Sequence, residues 1–134
     1  MFLQPKKSKY KKVRKGRLAK YNYKTNKLDF GTIGLKACES GLISARQLEA
    51  ARQAIVRKTK RNGKLWIKIF PNLPITKKPT EVRMGKGKGP VSHWSARVKS
   101  GTTIFELCGI NNNLAISAFK TGSAKLSVKT KVFN

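Results

Sequence analysis

Residues 44–71 read SARQLEAARQAIVRKTKRNGKLWIKIFP, and within this stretch the hydrophobic period changes from that of a helix to that of a strand. Ser44 and Gln47 stand at the S-x-x-Q spacing of a capping box, in which the hydroxyl takes the third helical amide and the glutamine side chain returns a bond. With Asn62-Gly63 as a stop, the spacing predicts a helix over residues 44–61. At about 100° per residue, Leu48, Ala51 and Ile55 share one side while Arg46, Gln53, Arg57 and Lys60 share the other. One side is built to pack and the other carries cation. Arg52 falls near the apolar side and is expected to lay its stem along that surface. Leu65 to Phe70 then has the β-branched and aromatic content of a strand, ended by Pro71.

Outward from this unit, Pro74 and Pro79 punctuate a connection. Residues 92–99 alternate strictly, with Trp94, Ala96 and Val98 on one side and His93, Ser95, Arg97 and Lys99 on the other, which predicts a half-buried strand. Ser100-Gly101 reads as a hairpin turn into a strand over Thr103 to Cys108. Asn113 is the expected cap of a second helix running through Leu126, and a last strand is expected over Val128 to Phe133. Two helices and mostly antiparallel strands in this order give the α+β class, a sheet packed with two helices.

The chain has 134 residues, enough for one domain. Thirty-one Lys and Arg stand against five acids (Asp29, Glu39, Glu49, Glu81, Glu106), a formal charge of +26. Self-repulsion of that size opposes compaction and is relieved when a polyanion supplies counter-charge and sheds its own condensed cations. Nucleic acid is therefore the expected partner. With 39% hydrophobic residues a core can still form, so the chain is not a disordered basic tail throughout. No apolar run has the length to span a bilayer, no secretory signal follows the N-terminal charges, and no membrane partner is expected. Cys38 and Cys108 lack companions at metal-ligand spacing and read as small buried hydrophobes in a reducing compartment.

The domain organisation expected is a basic N-terminal arm over residues 1–27 and a single α+β domain over residues 28–134. The arm carries Lys6, Lys7, Lys9, Lys11, Lys12, Arg14, Lys15, Arg17, Lys20, Lys24 and Lys27 and no acid. Such a block of like charge is ordinarily an interaction arm that becomes ordered on its partner. Tyr10, Tyr21 and Tyr23 are interleaved with it, placed either to stack on bases and sugars or to pack back on the domain. The RNA-binding set is accordingly the arm cations from Lys6 to Arg17 together with Arg46, Arg57, Lys60 and Arg61. A charged helical face is ordinarily just solvated, and only the charge of the whole chain weights this one toward RNA.

Arg83-Met84-Gly85-Lys86-Gly87-Lys88-Gly89-Pro90 places glycine at every second position with cations between. Glycine allows close backbone approach and lysine supplies point charges for phosphate, so the loop suits a crowded RNA crevice. The bland reading is a flexible surface loop. It is not a nucleotide-binding loop, because the G-x-x-x-x-G-K-[ST] pattern is missing and Pro90 with the alternating strand leaves no helix N-terminus for a pyrophosphate. His93 is the one histidine, without an aspartate in its segment to orient the ring, and five scattered acids do not make a carboxylate pair or a magnesium cage. No active site, metal or cofactor is expected.

Several blocks in order resemble a known family. These are Leu3-Gln4-Pro5-Lys6 through Lys15-Gly16-Arg17, Phe30-Gly31 with Gly34-Leu35-Lys36-Ala37, Arg46 through Arg52, and Gly63-Lys64-Leu65-Trp66-Ile67 with Phe70-Pro71. Pro74-Ile75-Thr76, Lys78-Pro79, Glu81 through Gly89, Trp94 and Phe105-Glu106 continue the series. Together they resemble the bacterial-type family of large-subunit ribosomal protein sixteen, over nearly the whole chain from Leu3.

That resemblance implies a compact α+β domain on large-subunit ribosomal RNA, near the path of transfer RNA through the A and P sites. It implies that the arm and the basic side of the first helix lie on ribosomal RNA, and that Arg83, Met84, Gly85, Lys86, Gly87, Lys88 and Gly89 face transfer RNA. Neighbouring ribosomal proteins are further implied partners; a second copy of the chain is not expected. The implied role is architectural, with peptidyl transfer left to RNA. The chain departs from the family at Lys125-Leu126-Ser127, at Pro90 and at Asn111-Asn112-Asn113, where relatives carry Lys-Leu-Pro, a polar residue and a more acidic helix start.

Lysine outnumbers arginine by 23 to 8, which suggests an AT-rich coding sequence. With the Lys78 to Arg83 stretch, and with the resemblance beginning at Leu3, this points to a mitochondrial ribosome, with a plastid or a bacterial cytoplasm as alternatives. Two other classes are weighed. A DNA-compacting or regulatory protein would share the charge but would show a helix-turn-helix or a dimerisation seam. An RNA-processing enzyme would need a nucleophile and base or a cluster of acids.

Overall fold

The computed structural model describes residues 3–18, 21–24 and 27–134. Lys20, counted in the arm, lies outside them. The elements run β1 (Ile33–Ala37), β2 (Gly41–Ser44), α1 (Ala45–Lys58), β3 (Lys64–Ile67), β4 (Leu73–Thr76), β5 (Val91–Val98), β6 (Thr103–Cys108), α2 (Asn112–Ser123) and β7 (Thr130–Phe133). The fold is α+β with antiparallel pairing, but the strands form two sheets: β3-β6-β1-β7 and β2-β5-β4.

The hairpin expected at Ser100-Gly101 is therefore wrong, because β5 and β6 lie in different sheets. The chain changes sheet twice at one corner, from β1 to β2 and back from β5 to β6. The two crossings are bonded together: Gly101 N–H donates to Ala37 O at 2.7 Å, Ser100 Oγ to Cys38 O at 2.6 Å, and Ser100 N–H to Ser40 Oγ at 3.1 Å. Gly101 has φ +85°, and a Cβ there would sit 2.5 Å from the ring of Tyr21. Both the turn and the packing require glycine.

The first helix starts as its sequence dictates. Ser44 Oγ accepts from Gln47 N–H at 3.2 Å, and Gln47 Oε1 accepts from Ser44 N–H at 2.9 Å. Leu48, Ala51 and Ile55 are fully buried. The helix ends at Lys58 rather than Arg61. Thr59 is buried and its hydroxyl donates to Val56 O. Arg61 N–H then reaches Val56 O at 3.0 Å, and Lys60 N–H reaches Arg57 O at 3.2 Å. This crossed pair is the Schellman closure. It holds Lys60 (φ 52°) and Arg61 (φ 65°) in the left-handed region that favours glycine.

Other boundaries shift for local reasons. β3 stops at Ile67 and not Phe70: Lys68 N–H still reaches Ile104 O, but its ladder partner β6 begins at Thr103. Residues 73–76, expected as connection, form the edge strand β4, where Pro74 costs no ladder bond. Asn111 caps α2 in place of Asn113, its Oδ1 accepting from Asn113 N–H at 3.1 Å. The helix stops at Ser123, after which Lys125 and Leu126 bond back three residues and tighten the chain. β7 begins at Thr130 and not Val128, because residues 127–129 are bonded to residues 38–42 through Ser127, Cys38 and Lys129.

One hydrophobic cluster joins both sheets and both helices, with Leu35, Ile43, Ile55, Val98, Phe105 and Phe119 among its fully buried members. Gly122 of α2 lets the helices close up, since a Cβ there would meet Ile55 Cγ1 at 2.6 Å.

Candidate nucleic-acid interface

β6 carries a buried carboxylate at its centre. Glu106 is fully buried, and its carboxylate accepts N–H bonds from Phe30 at 2.8 Å, Gly31 at 2.9 Å and Asp29 at 3.4 Å. Burial pushes the Glu106 carboxyl up, but the three backbone donors and the nearby Lys68 ammonium together hold it below its usual value. Lys68 Nζ also bonds Asp29 at 2.5 Å, and that bond raises the lysine above its usual range against its burial. Segment 29–31 is thus clamped over sheet β3-β6-β1-β7. Glu49 pairs with Arg52 through two bonds of 2.9 and 2.6 Å; the Arg52 bond lowers the carboxyl against desolvation. Arg52 therefore finds a carboxylate beside the apolar face instead of merely snorkelling.

Glu106, Glu49 and Asp29 are thus engaged in contacts within the domain, while the cations of the arm and α1 stand on its outer surface. Arg46 and Arg57 are exposed on α1, and Lys60 and Arg61 are exposed on the left-handed turn behind it. The last two extend the basic side, but from the helix's closing turn rather than from its face. Lys6, Lys7, Lys9, Lys11, Lys12, Arg14, Lys15 and Arg17 are all exposed.

The arm lies on the domain. Leu3 is buried in the core cluster. Arg97, on the exposed side of β5, donates from Nη2 to Arg14 O at 2.5 Å. Asn22 N–H donates to Ser100 O at 2.8 Å, so the arm reaches the sheet-switching corner. Tyr10 and Tyr23 are mostly exposed, while Tyr21 packs on Gly101 and stands 4.7 Å, centroid to centroid, from Tyr23. Tyr21 thus packs back on the domain, and Tyr10 and Tyr23 stay exposed. Arg97 was legible only as a polar position of an alternating strand; its role as the arm's anchor depends on contacts 83 residues apart.

The loop over residues 83–90 stands out from a base closed by Lys77 N–H to Pro90 O at 3.2 Å. Gly85, Lys86 and Gly87 all have positive φ (96°, 52° and 86°). Nothing lies within 4 Å of a Cβ built at Gly85 or Gly87, and Met84 is 99% exposed. The tip is a projecting ribbon of backbone with a cation at its turn. Its flank is not free: Lys12 Nζ donates to Lys88 O at 2.6 Å and Lys88 Nζ to Val13 O at 2.8 Å. Lys78 Nζ also donates to Gly85 O. Arm and loop therefore make one continuous basic surface.

His93 is exposed, and its ring Nδ1 lies 3.5 Å from Ser92 Oγ. Among the described residues no three His, Cys, Asp or Glu come together as a metal set, and no helix is long and apolar enough to cross a membrane.

A family model described as ribosomal protein L16p/L10e matches residues 5–133. The chain is 55% identical over 130 residues to large ribosomal subunit protein uL16 of Erythrobacter litoralis, covering 97% of this chain and 90% of that one. It is 54% identical over 129 residues to uL16 of Mesorhizobium japonicum, with 96% and 94% covered, and 55% identical over 128 residues to uL16 of Borrelia duttonii, with 96% and 93% covered.

Proposed function

The chain belongs to the ribosomal protein L16p/L10e family, a structural constituent of the large ribosomal subunit and not an enzyme; from that premise we propose that it binds large-subunit ribosomal RNA through its arm and α1 and turns its loop toward transfer RNA. The observation that carries this is the set of exposed cations on the arm, the loop and α1. Exposed cations of the arm, Arg46 and Arg57 of α1, and Lys60 and Arg61 beyond it are free of carboxylate partners in the ion pairs described above. A polyanion is the partner such a surface favours.

The loop has a different task. Its glycines keep side chains out of the way, so backbone amides and Lys86 can come close to a phosphate backbone. We assign residues 83–89 to the transfer RNA of the A and P sites, and the arm with α1 to ribosomal RNA. Neighbouring ribosomal proteins complete the partners, and the chain acts as a single copy with neither metal nor cofactor.

The location is a ribosome. The relatives named above are bacterial, so the bacterial cytoplasm is better supported than the mitochondrial ribosome expected from the lysine-rich composition.

The test is Arg46→Glu combined with Arg57→Glu. Losing two phosphate contacts should reduce the slope of log affinity against log salt by roughly 1.5, at roughly 0.7–0.9 per contact. Affinity should fall roughly tenfold for each charge-assisted bond of about 1.5 kcal/mol. Unchanged affinity and slope would make the α1 stripe a solvated face. In reconstituted subunits Lys86→Ala should leave assembly intact and weaken transfer RNA binding; failure to assemble would contradict the role given to the loop.

A further inference from the structure

Lys86 and Lys88 look equivalent in the sequence, two lysines in a glycine ladder, yet the structure ties Lys88 to the arm. Lys86 sits at the turn with φ 52° and is exposed. Lys88 turns back to the arm, giving its ammonium to Val13 O at 2.8 Å while its own carbonyl takes Lys12 Nζ at 2.6 Å. These two bonds span 75 and 76 residues of sequence, and each cation binds the neighbour segment's backbone. We propose that Lys12 and Lys88 form a clasp that makes the arm and the loop one mechanical unit. The arm's seating on ribosomal RNA then sets the direction in which the loop tip projects.

Three features support this. The tip has no packing of its own around Gly85 and Gly87, so its direction must be fixed from its flanks. The domain holds the loop's base, by Lys77 to Pro90, and its first flank, by Lys78 to Gly85. The other is held by the arm, and the arm is fixed next to the clasp by Arg97 on Arg14 O. Moving residues 12–14 on an RNA surface therefore moves Lys88, two residues from the centre of the turn. Lys88 is a positioning residue on this account, and Lys86 is the cation left for ligand.

The clasp itself does not need RNA, but its use rests on the function proposed above, and the experiment separates the two. Backbone order parameters of Gly85, Gly87 and Gly89 are measured by nitrogen-15 relaxation on the full chain, for Lys12→Met and Lys88→Met against the charge-matched controls Lys11→Met and Lys86→Met. In the free protein the two clasp variants should drop the glycine values from the rigid range near 0.85 toward 0.6 or below, and the controls should leave them unchanged. If Lys12→Met behaves as Lys11→Met does, the clasp is refuted. On adding a saturating short transcript of large-subunit ribosomal RNA, wild type should show further ordering of the glycines, and Lys12→Met should bind without it. Ordering in Lys12→Met equal to wild type overturns the coupling. A transcript that binds none of the chains refutes the RNA reading, while the free-protein comparison still decides the clasp.

Discussion

Replacing Glu106 by Gln tests the most demanding local arrangement in the fold. Oε2 accepts from Phe30 at 2.8 Å and Gly31 at 2.9 Å, and Oε1 faces Asp29 N–H at 3.4 Å and Lys68 Nζ at 3.6 Å. Glutamine fits the space and its oxygen keeps the two short bonds. Both become neutral bonds, and its amide nitrogen then points donors at the Asp29 N–H and the Lys68 ammonium. A hydrogen bond to a charged group contributes about 1.5–3 kcal/mol against about 0.5–1.5 for a neutral one, so two such losses come to about 2 kcal/mol, with the opposed donors adding to it. For a domain of this size that is a drop in Tm of roughly 6–12 °C. Urea unfolding at neutral pH should show the same loss as a lower midpoint at unchanged m. The pH dependence carries the sharper signature. Because the folded carboxyl lies below the unfolded value of 4.5, the unfolded state binds more protons in acid. The stabilisation is thus complete above pH 4.5 and disappears as pH falls through the folded value. The gap between wild type and Glu106→Gln should therefore narrow in acid. Equal stability at neutral pH, or a gap that persists unchanged in acid, would refute the account of the clamp.

The remaining predictions concern the helices. Ser44→Ala should cost about 1 kcal/mol, read as a lower urea midpoint, since it removes one half of a reciprocal cap. Gly122→Ala should cost about 1–3 kcal/mol by forcing Ile55, which is fully buried, off its position; combined with Ile55→Ala, the loss should be smaller than the sum of the two single losses. Lys60→Gly should raise stability by about 1 kcal/mol, because glycine accepts φ 52° without the Cβ penalty, while lowering RNA affinity and salt slope. A less stable Lys60→Gly would show that the lysine side chain itself supports the turn.

What the sequence revealed and what it hid divide along the range of the interactions. The start and apolar face of α1 rest on residues three and four apart, so Ser44, Gln47, Leu48, Ala51 and Ile55 were readable in order. The alternation of β5 was readable over Ala96, Arg97 and Val98, but Ser95, placed on the polar side, is buried in the structure. The end of α1 was not, because Lys60 and Arg61 adopt left-handed backbone that their residue types do not advertise, next to an Asn62-Gly63 pair that does. The two-sheet arrangement was hidden because Ser100-Gly101 has the composition of a hairpin turn, while the bonds that send β6 to the other sheet come from Ala37, Cys38 and Ser40. Among the candidate site residues, exposure of the cations followed from composition. The inward turn of Lys88 depends on Lys12 and Val13 and has no local sign.

The way the arm is held bears on how the protein can bind RNA. Carboxylates are used where the fold must close: Asp29 and Glu106 on Lys68 and segment 29–31, Glu49 on Arg52, and Glu39 on the Lys129 amide. Residues 12–14 are held instead by carbonyl acceptors, Val13 O, Arg14 O and Lys88 O. The difference matters for affinity. An arm tethered by carboxylates would exchange one ion pair for another on meeting phosphate, with little net change and few counterions released. An arm tethered through carbonyls keeps its ammonium and guanidinium groups uncompensated until RNA arrives. Each contact then displaces a condensed cation and adds to the driving force. The same arrangement explains how a chain of charge +26 holds its most basic segment against itself, because hydrogen bonds to neutral oxygens fix position without consuming charge.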